Sequence, residues 1–200
     1  DTCVWLEFRR VLFRSRIVAG EYGGRRLKAV PGMKTRPTTD KVKEAMFNII
    51  GPYFEGGKSL DLFSGSGGLS IEGVSRGIEE ATLIDRQYQA IKTIKENVAV
   101  TKHPEKFKII KGDANKIIHV LAKKQLSYDL VYFDPPYKEQ KIVEMMLKLA
   151  ELSLLNKNAI IVCETDQEAN LPDEISGFRW IKKADYGITQ LNIYEFEGGE

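Results

Sequence analysis

Residues 134–137 read Asp-Pro-Pro-Tyr and close the apolar run YDLVYF. Pro135 and Pro136 have no N–H for a sheet ladder, so a strand ending here must stop near Asp134. That leaves the Asp134 carboxylate and the Tyr137 aromatic ring held stiffly at a strand end. In open α/β sheets, ligands sit at the carboxyl ends of strands.

Three more acids and a glycine-rich turn fall at comparable places. LDLFSGSGGLSIEG runs strand, turn, helix. Gly65 and Gly67 allow a tight turn and close approach to a ligand, and the helix that follows offers unsatisfied N–H groups. Ser70 stands where a dinucleotide site prefers its third glycine, and there is no P-loop Lys-Ser/Thr pair. Asp61 lies four residues before Gly65. Asp85 closes EATLID, twenty residues after Gly65, where an acid can accept from ribose hydroxyls. Asp113 closes FKIIKGD and reads equally well as the N-cap of the next helix. Taken together, these groups outline a nucleoside pocket.

The elements that position them alternate. KSLDLF, EATLID, FKIIKGD, YDLVYFD and NAIIVCE read as strands. GLSIEGVSR, YQAIKTIKENV, ANKIIHVLAKK and KEQKIVEMMLKLAEL carry helical spacing. This rhythm implies a mostly parallel sheet with helices on both faces. FRWIKKADYG and ITQLNIYEFE follow without an intervening helix, so one of them should run antiparallel. Upstream, RIVAGEYGGRRLKAV reads as two strands around Tyr22-Gly23-Gly24. DKVKEAMFNII reads as a helix capped by Thr38 or Thr39, with Val42, Met46 and Ile49 on one face and Gly51-Pro52 ending it.

The composition, 42% hydrophobic and 29% charged with a net charge of +2, fits one soluble globular domain. The charge is uneven: residues 14–43 carry nine Lys or Arg against Glu21 and Asp40. A basic arm on an acidic body suits a polyanionic partner. Cys3 and Cys163 form no disulfide framework and His103 and His119 no metal pattern, so a reducing cytoplasm and no metal are expected. No apolar run is long enough to span a membrane. Residues 1–15 read as a non-native or disordered tail, 16–37 as a β-hairpin and basic arm, and 38–197 as the catalytic domain.

The order glycine turn, ribose acid, GDA, DPPY resembles the class I S-adenosylmethionine-dependent methyltransferases. RIVAGEYGGRRLKAVPGMKTRPTTDKVKEAMFNII, LDLFSGSGGLSIEGVSRG, FDPPY and ADYGITQLNIYEF resemble the RsmD family of bacterial 16S rRNA guanine-N2 methyltransferases. The resemblance spans about residues 16–196. It implies a seven-stranded class I methyltransferase (Rossmann-like) sheet, S-adenosyl-L-methionine as cofactor, and 16S rRNA in the small ribosomal subunit, or its assembly intermediate, as substrate. A monomer is expected.

Carried over by residue, the resemblance places Asp61, Ser64, Gly65 and Gly67 around the methionine portion. Asp85 holds the ribose, Asp113 and Ala114 the adenine, and Thr35, Arg36 and Thr38 lie near the cofactor carboxylate. The Asp134 carboxylate and Pro135 carbonyl would each accept an N–H of the guanine amino group, Pro136 would stiffen that carbonyl, and Tyr137 would stack on the base. Arg16, Tyr22, Arg25, Arg26, Lys28 and Lys34 would contact RNA. The competing readings are an adenine-N6 DNA or RNA methyltransferase, a nicotinamide-dependent oxidoreductase, and a non-enzymatic RNA-binding module.

Overall fold

The run YDLVYF is buried on both sides except at Asp129, as befits a strand covered by helices on both faces. It is the centre of the sheet. The computed structural model describes residues 13–32, 38–135 and 139–198. Ten strands are described: β1 (Phe13–Arg16), β2 (Arg26–Lys28), β3 (Lys58–Asp61), β4 (Glu80–Asp85), β5 (Phe107–Lys111), β6 (Tyr128–Phe133), β7 (Leu155–Asp166), β8 (Glu174–Ile175), β9 (Phe178–Tyr186) and β10 (Thr189–Phe196). The five described α-helices are α1 (Asp40–Ile50), α2 (Gly68–Ser75), α3 (Tyr88–Val100), α4 (Ala114–Lys123) and α5 (Glu139–Glu151).

The large sheet has the order β5-β4-β3-β6-β7-β10-β9-β8. The first five strands in that order are mutually parallel, and β10 runs antiparallel between β7 and β9. The expected antiparallel strand is therefore β10. The sheet has eight strands rather than seven, because β8, two residues long, adds to the start of β9 through Glu174–Arg179 and Ile175–Phe178.

Alternation along the strands divides the core. Val131 and Phe133 join Leu60, Ile118, Met146, Leu149 and Ile161 on the face covered by α4 and α5. Leu130 and Tyr132 join Met46, Phe47, Ile71, Val74, Ile94 and Ile193 on the face covered by α1, α2 and α3. Ile17, Tyr22 and Leu27 of the N-terminal arm belong to this second cluster, so the arm is part of the core.

The arm departs from a regular hairpin. Its strands are short, and residues 17–25 between them bond both among themselves (Ile17 amide to the Arg25 carbonyl, 2.8 Å; Gly24 amide to the Ile17 carbonyl, 2.7 Å) and to α2. Val18 and Ala19 donate their N–H groups to Glu72 (2.9 and 3.2 Å), and Tyr22 donates to the Ser75 hydroxyl (3.0 Å). Gly20, at φ +86°, lies so close to the Ser75 carbonyl that any side chain would collide with it. β1 begins at Phe13, ahead of the expected boundary after residue 15.

Helix α1 is capped by Thr39, whose side chain accepts from the Val42 amide. Its buried face is Val42, Lys43, Met46 and Phe47, whereas Ile49 is partly exposed. Phe47 turns inward because Tyr132 and Phe54 receive its ring, and Arg76 stacks on it at 5.0 Å. Lys43 is buried because Nζ donates to the Arg16 carbonyl (2.6 Å) and faces Glu72 (3.8 Å).

Candidate active site

The parallel strands all end at one sheet edge, where Asp61, the glycine turn, Asp85, Asp113 and Asp134 close or follow β3, β4, β5 and β6. β3 ends at Asp61, followed by the glycine turn. The Ser64 amide bonds to the Ile84 carbonyl (3.0 Å) and the Gly67 amide to the Ser64 carbonyl (2.7 Å), which ties the turn to β4. The Ser64 hydroxyl donates to the Asp61 carbonyl (3.0 Å). Gly65 and Gly67 sit at φ +54° and +81°, a region costly for other residues. Their requirements differ. A β-carbon at Gly67 would meet Leu83 at 3.1 Å, whereas one at Gly65 would meet nothing within 4 Å. Gly67 is needed for packing, and Gly65 faces open space.

Ser70 has a definite role in place of a third glycine: its hydroxyl donates to Asp61 Oδ2 (3.2 Å) in the interior. Close packing of helix on sheet comes instead at Gly73, where a β-carbon would strike the Tyr132 hydroxyl.

Asp85 braces the turn. Oδ2 accepts from the Gly65 amide (3.0 Å) and Oδ1 from the Gln87 amide (2.9 Å). Each carboxylate oxygen retains a further lone pair with which to accept from a ligand. Asp113 occupies the cap position before α4 with an extended backbone, but its side chain makes no capping bond. Its carboxylate is thus not committed to the helix that Ala114 begins.

Asp134 follows β6 and is open to solvent. Its neighbours were only half legible in the sequence. Phe133 pairs with Cys163 across β6 and β7, so Glu164 stands level with Asp134 on the next strand. The sequence signal existed: AIIVCE ends in an acid as YFD does. The Thr38 hydroxyl donates to Glu164 Oε2 (2.7 Å), so Thr38 reaches the crevice through this contact.

Asp61, Asp134 and Glu164 perturb one another. Burial pushes the Asp61 carboxyl up to about 7, opposed by the Ser70 hydroxyl and the Phe63 amide and reinforced by Asp85 and Glu164. Although Asp134 reaches solvent, desolvation of its carboxyl by the protein packed around it pushes it well above the usual range, and the charges of Glu164 and Asp61 push the same way. Burial likewise raises Glu164, while Thr38 opposes the shift. Like charges this close favour shared protons or a nearby cation.

The arm residues are less available to RNA than their spacing implies. Tyr22 is 1% exposed and packs beneath Arg25, so it offers no face to a base; the expected stacking role is corrected. Arg16 pairs with Asp40 (3.3 Å), Lys28 pairs with Glu96 (3.0 Å), and Arg25 donates to the Val100 carbonyl (2.9 Å). Arg26 is exposed. Lys34, Thr35, Arg36, Pro136 and Tyr137 lie outside the described residues. Among the described residues no helix is long and apolar enough to cross a membrane, and no acidic, His or Cys group could hold a metal ion. Cys163 is buried, and burial pushes its thiol up, as for an inert core residue.

A five-strand parallel core continued by an antiparallel β10, with a glycine turn after the first strand and an acid after the fourth, defines a class I methyltransferase. The family model described as conserved hypothetical protein 95 matches residues 15–195. The chain belongs to that family, the RsmD family. YlbH of Bacillus subtilis (strain 168), provisionally named an rRNA methyltransferase, is 43% identical over 183 residues, covering 92% of this chain and 100% of that one. Ribosomal RNA small subunit methyltransferase D of Escherichia coli (strain K12) is 29% identical over 182 residues, covering 91% and 90%. The solved structure of Escherichia coli yhhF, provisionally named a methyltransferase, superposes with a TM-score of 0.79 at 26% identity, covering 92% and 99%.

Proposed function

We propose that this protein transfers a methyl group from S-adenosyl-L-methionine to the exocyclic N2 of a guanine in 16S rRNA of the small ribosomal subunit. The observation that carries the reading is Asp134, open to solvent at the end of β6 and level with Glu164, beside the glycine turn that follows Asp61. The names of the relatives from Bacillus subtilis and Escherichia coli support rRNA as the substrate class.

The described residues fit the cofactor. Gly65 faces open space, Asp113 is not used as a cap, and the carboxyls of Asp61, Asp134 and Glu164, whose like charges raise Asp61 and Asp134, suit a cationic sulfonium. Asp61, Ser64, Gly65 and Gly67 would hold the methionine portion, Asp85 the ribose, and Asp113 with Ala114 the adenine; Thr35, Arg36 and Thr38 would lie by the carboxylate. When bound, the cofactor supplies an electrophilic methyl on a sulfonium.

The protein's own part is positioning, the main contribution in a displacement between two bound partners. A guanine amino nitrogen is a poor nucleophile because its lone pair is delocalised into the ring. Asp134 and the Pro135 carbonyl each accept one of its N–H groups and favour a more tetrahedral nitrogen. Pro136 stiffens that carbonyl. Tyr137 stacks on the base, worth roughly 1–3 kcal/mol. After transfer the methylated nitrogen releases one proton to water at the solvent-open side of Asp134, so Asp134 need not be a strong base, and no covalent enzyme intermediate forms.

The test is labelled-methyl transfer onto small ribosomal subunits from a strain lacking the enzyme, followed by nucleoside digestion. N2-methylguanine is expected. N6-methyladenine would move the reading to the adenine class, and no label on RNA would refute it.

A further inference from the structure

We infer that the free edge of β9 is a second contact for the RNA backbone, separate from the N-terminal arm; this rests on the reading above that RNA is the substrate. Five consecutive residues, Arg179 to Lys183, are exposed, which is unusual inside a nine-residue strand. β8 pairs with only Phe178 and Arg179, so among the described residues Trp180 to Tyr186 have no strand on their outer side. Such an edge presents a row of N–H groups, and backbone N–H groups commonly donate to phosphate oxygens.

The side chains fit the same ligand. Lys182 lies opposite Ile193 and Lys183 opposite Asn192, so the two cations flank the edge on its two faces. Neither is in any ion pair described, whereas Arg179 is held by Glu195 (3.3 Å) and Glu197 (3.8 Å), and Asp185 is engaged by Gln190 (2.9 Å). Trp180, 39% exposed, offers an aromatic face beside them. Cations interleaved with an aromatic ring make a surface that follows a nucleic-acid strand.

The location is also suitable. Thr189 pairs with Asp166, so the β9–β10 turn stands at the same sheet edge as Asp134 and Glu164, with Ile188, 64% exposed, at its tip. An added protein strand is the other occupant of such an edge, but the register breaks between Ile193 and Tyr194, leaving Ile181 as an extra residue. A bulge and flanking lysines interrupt the ladder that strand addition needs and leave phosphate contacts unimpaired.

The experiment compares the full chain with Lys182→Gln/Lys183→Gln and with Trp180→Ala. All three changes are at exposed positions outside the methyl-transfer machinery. The readouts are methyl transfer to rRNA and direct binding of a single-stranded RNA oligonucleotide across salt concentrations. The double variant should raise KM at least tenfold, leave kcat and cofactor affinity unchanged, and lower the slope of log affinity against log salt by about 1.4, roughly 0.7 per phosphate contact on a single strand. Trp180→Ala should weaken RNA binding roughly tenfold. Unchanged KM and slope in variants that still methylate would overturn the inference and leave the proposed function standing. An effect confined to particles carrying ribosomal proteins, and absent with deproteinised RNA, would also overturn it, in favour of a protein partner. Absence of methyl transfer by the unaltered chain would instead count against the proposed function.

Discussion

Asn97 donates its side-chain amide to the main-chain oxygen of Ser66 at 2.8 Å, in the middle of the glycine turn. The same side chain accepts from the Lys28 amide (2.8 Å) and donates to the Lys28 carbonyl (3.0 Å). One buried residue of α3 therefore fastens the N-terminal arm and the turn together. Asn97→Ala should cost about 2 kcal/mol of stability in urea denaturation, since several polar groups lose their partners. It should also weaken cofactor binding, because Ser66 loses its anchor. Unaltered stability and affinity would show the contact to be incidental.

Glu72 organises the other side of the arm. It is fully buried and accepts from Val18, Ala19 and the Arg76 guanidinium (3.0 Å), with Lys43 at 3.8 Å. Removing one partner of such a network strands the others: Glu72→Ala leaves two buried cations and two amides without it, and should cost about 3–5 kcal/mol. Glu72→Gln keeps an acceptor and should cost less. Equal losses in the two variants, measured by chemical denaturation, would mean that shape matters and charge does not.

The pH dependence of stability follows from Asp61. Its carboxyl is pushed from an ordinary 3.8 up to about 7 by burial. Between these values the folded protein keeps a proton that the unfolded chain has released, so stability falls as pH rises through this window. Asp61→Asn cannot titrate there and should lose less stability from about pH 4 to about pH 7. Parallel curves for the two proteins would contradict the assignment. A bound cation near Asp61 favours the ionised form, so cofactor affinity should rise over the same range, and less so in the variant.

These devices mark the limit of what the sequence disclosed. The βαβ alternation, the antiparallel return and the strand-end acids were legible because each depends on a local pattern: apolar period, proline, glycine, a terminal acid. The arm's antiparallel hairpin was legible from its Gly-Gly turn, but its anchors on α2, Glu72 and Ser75, were not, because they lie about fifty residues away in sequence. Lys43 and Asn97 look like surface residues until tertiary partners are known. Tyr22 looked like a stacking residue at a turn, but the turn folds back onto the core and buries it. Gly73 and Ser70 share among them the packing and polar duties that a third glycine would not have divided.

The proposal as a whole depends on Asp134 meeting the amino group of the target base. The direct measurement is methyl transfer to small ribosomal subunits by Asp134→Ala, alongside cofactor binding by titration. The expected result is turnover lowered at least about a thousandfold, more than 4 kcal/mol of transition-state stabilisation, with cofactor affinity changed only a few-fold. Near-normal methylation by that variant would contradict the central claim.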